Sequence, residues 1–152
     1  MKIIIVSDSH GKRDVLYDLL EEHQDADVFL HCGDIELAEN EFPMYQTVTG
    51  NNDFFTNYPL EKVIEVGNHR IYMTHGHILH IRNRHDHLIK KAKEHGCDIA
   101  CYGHSHISVV EEKDGVLIIN PGSVWRSRDG KGPSYAILNI SETGMATQIK
   151  FL

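Results

Sequence analysis

Five short segments of this chain carry side chains that could hold metal ions: Asp8-Ser9-His10, Gly33-Asp34, Gly50-Asn51-Asn52-Asp53, His75-Gly76-His77 and His104-Ser105-His106. Their donors are carboxylate and carboxamide oxygens and imidazole nitrogens. That mixture suits Mn, Fe, Zn, Ni or Co better than the all-oxygen sites of Ca or Mg. The donors are too many for one catalytic ion with an open position, and they suit two ions sharing a carboxylate. Taken singly, each fragment also has an ordinary reading. Asp8-Ser9-His10 would serve as a helix N-cap and turn, Gly33-Asp34 and the Gly50 segment as turns, and His104 with His106 as a surface pair. The joint occurrence carries the weight, because each segment follows an apolar strand.

Those strands are legible. Lys2 to Ser7 is short, β-branched and almost wholly apolar, as a strand buried on both faces should be. Val15, Leu16, Leu19 and Leu20 mark one face of a helix over 13–23. Ala26 to His31 and Tyr45 to Thr49 read as further strands. Val63 to Val66 and Arg70 to Thr74 flank a Gly67-Asn68 hairpin turn. A helix over 84–95 is closed by Gly96, and Asp98 to Tyr102 is a strand. The remainder reads as β, with strands near 107–112, 116–120, 134–140 and 145–150 and a hairpin signal at Asp114-Gly115. The order implies an α/β protein. In such sheets, ligand sites gather outside the carboxyl ends of the strands, so residues distant in sequence can meet there.

Composition narrows the function. At 152 residues the chain fits one domain, 1–152, with enough length to bury a core. Net charge is -7 with histidine neutral, and no basic stripe is present. That argues against gripping a long nucleic acid. The three cysteines cannot all pair within one chain. None forms a Cys-x-x-Cys pair, which disfavours a zinc ribbon or thioredoxin-like site. The apolar run after Lys2 is too short for a signal peptide or membrane span, so a cytoplasmic location without membrane attachment is expected.

The ordered set of motifs resembles the calcineurin-like metallophosphoesterase superfamily over Met1 to about Ile140. The small size and Asn120-Pro121-Gly122-Ser123 are most similar to its YfcE-like small phosphodiesterase branch. The resemblance implies two packed mixed β-sheets flanked by helices. It also implies that Asp8, His10 and His106 hold one metal, that Asn51, His75 and His104 hold a second, and that Asp34 bridges them. Spacing agrees: residues two apart in an extended segment point the same way, and one carboxylate can hold two cations roughly 3.5–4 Å apart. The expected chemistry is hydrolysis of a small phosphate ester by a hydroxide bridging two divalent ions, Mn being favoured. A phosphodiesterase is expected first. The alternatives are a phosphomonoesterase and a non-catalytic scaffold on the same fold. The resemblance also favours a homo-oligomer.

Three further residues are candidates at the site. Asn52 stands where many superfamily members have a histidine that assists the leaving group. A carboxamide donates hydrogen bonds but is no acid near pH 7, so activated aryl leaving groups should be preferred. His77 is the candidate substitute. Arg128 matches a basic residue of the branch and could grip a phosphate oxygen. Asp53 would normally support the missing histidine. His31 is expected to lie behind the ligands and Cys32 in the core. His23, His69 and His95 are expected at the surface near element ends, and His80, His85 and His87 on a solvated face. Trp125, Phe54 and Phe55 read as loop aromatics facing substrate or another subunit.

Overall fold

The computed structural model describes residues 1–152. Strand β1 (Lys2–Val6) shows how the layers form. Successive side chains point to opposite faces, and Ile3 to Val6 are all fully buried. Ile3 and Ile5 pack with Leu30, Val48, Ile71, Met73, Ile99 and Leu138 between the two sheets. Ile4 and Val6 pack on the opposite face with Leu16, Leu19, Phe29 and Tyr45. Burying each such aliphatic side chain contributes roughly 1.5–3 kcal/mol. The strand is therefore a firm base for the polar loop that follows.

Helix α1 (Arg13–Glu22) lays Leu16 and Leu19 on that outer face. Strands β2 (Val28–His31) and β3 (Tyr45–Thr47) continue the first sheet, whose order is β10-β9-β1-β2-β3. β1, β2 and β3 run parallel, with Val6 beside His31 and His31 beside Thr47. The second sheet contains β4 (Glu61–Val66), β5 (His69–Thr74), β6 (Ile99–Cys101), β7 (Val109–Lys113) and β8 (Val116–Asn120) in the order β4-β5-β6-β8-β7. Here β5, β6 and β8 are the parallel strands. Helix α2 (Arg84–Glu94) covers the outer face with Leu88, Ile89 and Ala92 against Tyr72, Ala100 and Ile118. β9 (Ser134–Ser141) and β10 (Gly144–Phe151) complete the first sheet, β9 antiparallel to β1 and β10 antiparallel to β9. No helix is long and apolar enough to cross a membrane.

The expected sandwich of two mixed sheets with flanking helices is the observed fold. The turn at Asp114-Gly115 has φ of 52° and 80°, the pair of positive values a two-residue type I′ hairpin needs. β3 is two residues shorter than the sequence suggests. Val48 N–H still donates to His31 O at 3.2 Å, and beyond it the chain turns away from β2, with the Thr49 N–H donating to Pro59 O at 2.8 Å.

Two histidines correct the expectation of exposure. His85 bridges Glu111 Oε2 and Tyr102 Oη, each at 2.7 Å, tying α2 to the second sheet. His23 is 5% exposed and sits 2.9 Å from Tyr135 Oη. Burial, helped by the charge of Lys2, pulls the His23 pKa below its ordinary 6.5. The unfolded chain therefore binds this proton more readily than the folded one. Stability should be complete above the unfolded value and fall as pH drops below about 6.5. Urea unfolding at pH 7.5 and 5.5 measures this. Wild type is expected to lose more stability between the two than His23→Gln, and equal losses would contradict it.

Candidate metal centre

Six loops, one from the carboxyl end of each parallel strand, meet at one rim of the sandwich. β1 delivers Asp8 and His10, β2 delivers Asp34 and Glu36, and β3 delivers Asn51, Asn52 and Asp53. β5 delivers His75 and His77, β6 delivers His104 and His106, and β8 delivers Asn120 to Ser123. Seven non-glycine residues have positive φ, and six lie here: Asp8 (52°), His10 (45°), Asp34 (56°), Glu36 (54°), His104 (68°) and His106 (59°). The donor pairs are thus not on extended segments, as their spacing suggested. Each pair runs through the left-handed region, which turns both side chains inward. Such conformations cost on the order of 1–3 kcal/mol each and persist only where surroundings over-determine them.

The surroundings do so through hydrogen bonds. Asp8 N–H donates to Gly33 O at 3.0 Å, His10 N–H to Asp34 O at 3.0 Å and Gly103 N–H to His75 O at 2.9 Å. The Asp53 carboxylate accepts the N–H groups of Asp34, Glu36 and Gly50 at 2.9, 2.8 and 2.7 Å. Asp53 is therefore a clamp on the two loops that carry Asp34 and Asn51. Ser123 Oγ donates to Asp8 O at 2.7 Å, and Asn120 Nδ2 donates to Gly103 O at 3.0 Å. His31 accepts the Gly33 N–H on Nδ1 at 3.1 Å and faces Ser9 Oγ with Nε2 at 2.9 Å. Burial pushes its pKa down to about 3, and the neutral tautomer is the one these partners need.

The first donor group is Asp8, His10 and His106. His10 Nδ1 is 2.7 Å from Glu36 Oε1, and His106 Nδ1 is 2.9 Å from Arg126 O. Each ring thus presents its Nε2 lone pair inward. The two Nε2 atoms are 3.2 Å apart, and Asp8 Oδ1 lies 3.2 Å from His106 Nε2 and 3.8 Å from His10 Nε2. Asp8 Oδ2 accepts Ser7 Oγ–H at 2.5 Å and His104 N–H at 2.9 Å, whereas Oδ1 is buried without a hydrogen bond. The second group is Asp34, Asn51 and His75. His75 Nδ1 donates to Cys32 O at 2.7 Å, which leaves Nε2 facing Asn51 Oδ1 at 3.0 Å and Asp34 Oδ2 at 3.4 Å. The His104 ring stands edge-on to His75, with centroids 5.1 Å apart. Asp34 Oδ2 is also 3.9 Å from His10 Nε2, so this carboxylate faces both groups.

Burial opposes the ionisation of both acids, yet both carboxyls stay below the usual range. The neighbouring His106 and His75 and the Ser7 hydroxyl outweigh burial at Asp8. His75 and the Asn52 backbone N–H do so at Asp34. The same carboxylates raise the His75 pKa against its burial, whereas burial and His75 lower that of His104. In two places, then, carboxylate and carboxamide oxygens and imidazole nitrogens converge at close range. Acceptors 3.0–3.4 Å apart repel unless a cation or proton lies between them. Ligands bound at about 2.1 Å to one ion stand at comparable separations. The orphaned Asp8 Oδ1 and this donor chemistry fit divalent metal ions.

All seven expected ligands thus gather, with the other candidates around them. Asn52 donates to Asp34 twice, N–H to Oδ1 and Nδ2–H to Oδ2, each at 2.9 Å. The His77 ring is 5.5 Å from His75, and its Nδ1 is buried without a partner. Exposed Arg128 donates to His104 O at 3.3 Å and, with Trp125, borders a cleft against His106. The Trp125 ring is 4.8 Å from His10. Glu36 is the site residue that sequence reasoning misses. Its signal is the two-residue spacing of Asp34-Ile35-Glu36, the same as in the Asp8/His10 and His104/His106 pairs.

The calcineurin-like phosphoesterase superfamily domain profile matches residues 1–143. A Bacillus subtilis (strain 168) protein named probable metallophosphoesterase YsnB is 39% identical over 144 residues, covering 92% of this chain and 85% of its own. A phosphodiesterase of Methanocaldococcus jannaschii is 32% identical, covering 80% of this chain and 83% of its own. Among solved structures, a predicted phosphoesterase from Streptococcus pneumoniae TIGR4 superposes with a TM-score of 0.92 at 30% identity, over 99% of this chain and 88% of that one. The profile runs through every donor loop described above, and by that match and this degree of identity the chain belongs to the calcineurin-like phosphoesterase superfamily.

Proposed function

We propose that the protein is a phosphodiesterase that uses two divalent metal ions, Mn first and Zn, Fe, Ni or Co as alternatives, to hydrolyse small phosphate esters. The observation that carries this reading is the pair of acceptor clusters sharing the Asp34 carboxylate. Asp8, His10 and His106 would hold one ion, Asn51, His75 and His104 the other, and Asp34 both. When bound, such a pair supplies charge stabilisation for the phosphoryl oxygens and lowers the pKa of a nearby water.

The chain's own residues do the positioning. Glu36, the Arg126 carbonyl and the Cys32 carbonyl fix the tautomers and orientations of His10, His106 and His75. Asn52 holds both oxygens of Asp34. Arg128, at the mouth above His104, offers a guanidinium to a phosphate oxygen. Asn52 has no proton to give near pH 7, so the leaving group departs largely on its own acidity and aryl esters are favoured over alkyl. Similarity to the M. jannaschii phosphodiesterase supports diesters over monoesters.

The test is hydrolysis of bis-p-nitrophenyl phosphate with Mn²⁺. Activity is expected to vanish on chelation, return when metal is restored, and exceed that on p-nitrophenyl phosphate. A chain that binds two equivalents of Mn²⁺ and cleaves neither ester would instead be a scaffold.

A further inference from the structure

A cavity with Leu37, Ala38, Phe54 and Phe55 in its wall opens beside the candidate metal centre. It encloses about 550 Å³ between the β2 and β3 loops. Two residues join it to the donors. Asn52, in its wall, reaches Asp34 Oδ2 at 2.9 Å, and Glu36, also in its wall, reaches His10 at 2.7 Å. Leu37, 6% exposed, is also in the wall. Phe54 and Phe55 stand at the opening, 76% and 100% exposed. Neither ring stacks on another aromatic group of the chain. Truncating them removes no core packing, so their apolar surface is free to meet a ligand.

Charge selects the kind of ligand. The only cation in the wall, Arg13, is paired with Glu41, and Glu36 and Asp53 add carboxylates. A further phosphate or carboxylate on the ligand would meet net negative charge. A neutral, flat ring would bury itself against Leu37 and stack on Phe54 or Phe55. The volume accommodates such a ring with room for an attached sugar.

We propose that this cavity is the subsite for a neutral aromatic arm of the ester, an aryl group or a nucleobase, with Phe54 and Phe55 as its stacking residues. The proposal rests on the phosphodiesterase reading above and adds a determinant of substrate class. It differs from the leaving-group argument, because it predicts selectivity in binding, where no bond breaks.

The experiment uses the Mn²⁺-loaded full chain and calorimetric titration with phenylphosphonate and methylphosphonate, at an alkaline pH where both are dianions. Phenylphosphonate is expected to bind roughly fivefold tighter, the scale of an aromatic stacking contact. Phe54→Ala/Phe55→Ala should remove that ratio and leave the methylphosphonate Kd unchanged, while Phe54→Tyr/Phe55→Tyr should keep it. Thermal melting checks that the variants are folded. Equal affinities in the wild type, or a ratio that survives the double alanine variant, would overturn the subsite. So would a variant that changes the oligomeric state and leaves the ratio intact, since the pair would then be a subunit contact. Hydrolysis of bis-p-nitrophenyl phosphate reports separately on the parent reading: cleavage without a phosphonate ratio sinks the subsite alone, and a ratio without cleavage sinks the enzyme activity alone.

Discussion

Asp34→Asn is expected to lower the Mn²⁺-dependent kcat/KM for bis-p-nitrophenyl phosphate by about 10³-fold or more, and to reduce bound metal below two ions per chain. Even outer partners of metal ligands typically cost roughly 10–100-fold, and a shared ligand should cost more. Asp34 Oδ2 stands between His75 at 3.4 Å and His10 at 3.9 Å, so losing its charge weakens both clusters at once. The substitution is worse than isosteric. Asn52 donates to both oxygens of Asp34, and an amide has only one oxygen. Whichever way the new carboxamide turns, a donor faces a donor. Glu36→Gln should show the milder loss of an outer partner, because it touches His10 alone. Steady-state kinetics and metal analysis of dialysed protein measure both. An Asp34→Asn enzyme within tenfold of wild type would refute the shared-carboxylate arrangement.

Gly103→Ala should damage stability and activity together. A Cβ there would overlap Ser7 Oγ and Asp8 Oδ2. The backbone cannot retreat, because Gly103 N–H is bonded to His75 O and its carbonyl accepts Asn120 Nδ2. The Ser7–Asp8 hydrogen bond must therefore give way, and Asp8 must leave its place against His106. Overpacking of this kind costs about 1–3 kcal/mol. At this chain length that lowers Tm by roughly 2–4 °C per kcal/mol. The fall should come with loss of Mn²⁺ binding. A variant that melts like wild type and retains its metal would show that the β1 and β6 loops are not in the contact described.

The two sheets and the loops that carry the seven candidate donors can be read from the sequence because both leave local marks. The run Ile3-Ile4-Ile5-Val6 is apolar on both faces, and the polar residues that end such strands are of metal-binding types. What stays hidden depends on distant partners. His23 resembles a surface residue until Tyr135, 112 positions away, buries it. His85 acquires a role only through Tyr102 and Glu111. Asp53 reads as the support of a histidine that the chain lacks, and it binds three backbone N–H groups on two loops instead. The left-handed backbone of His10, His104 and His106 leaves no compositional trace either, since these are not glycines.

Asp8, His10 and Asp34 come from the first sheet, and His75, His104 and His106 from the second. Cations would therefore rivet the seam between the two layers, rewarding only a chain in which both sheets have formed and docked. In kinetic terms, bound metal should act as a brake on unfolding while barely hastening the folding reaction, whose barrier is crossed before the rivet has its second half.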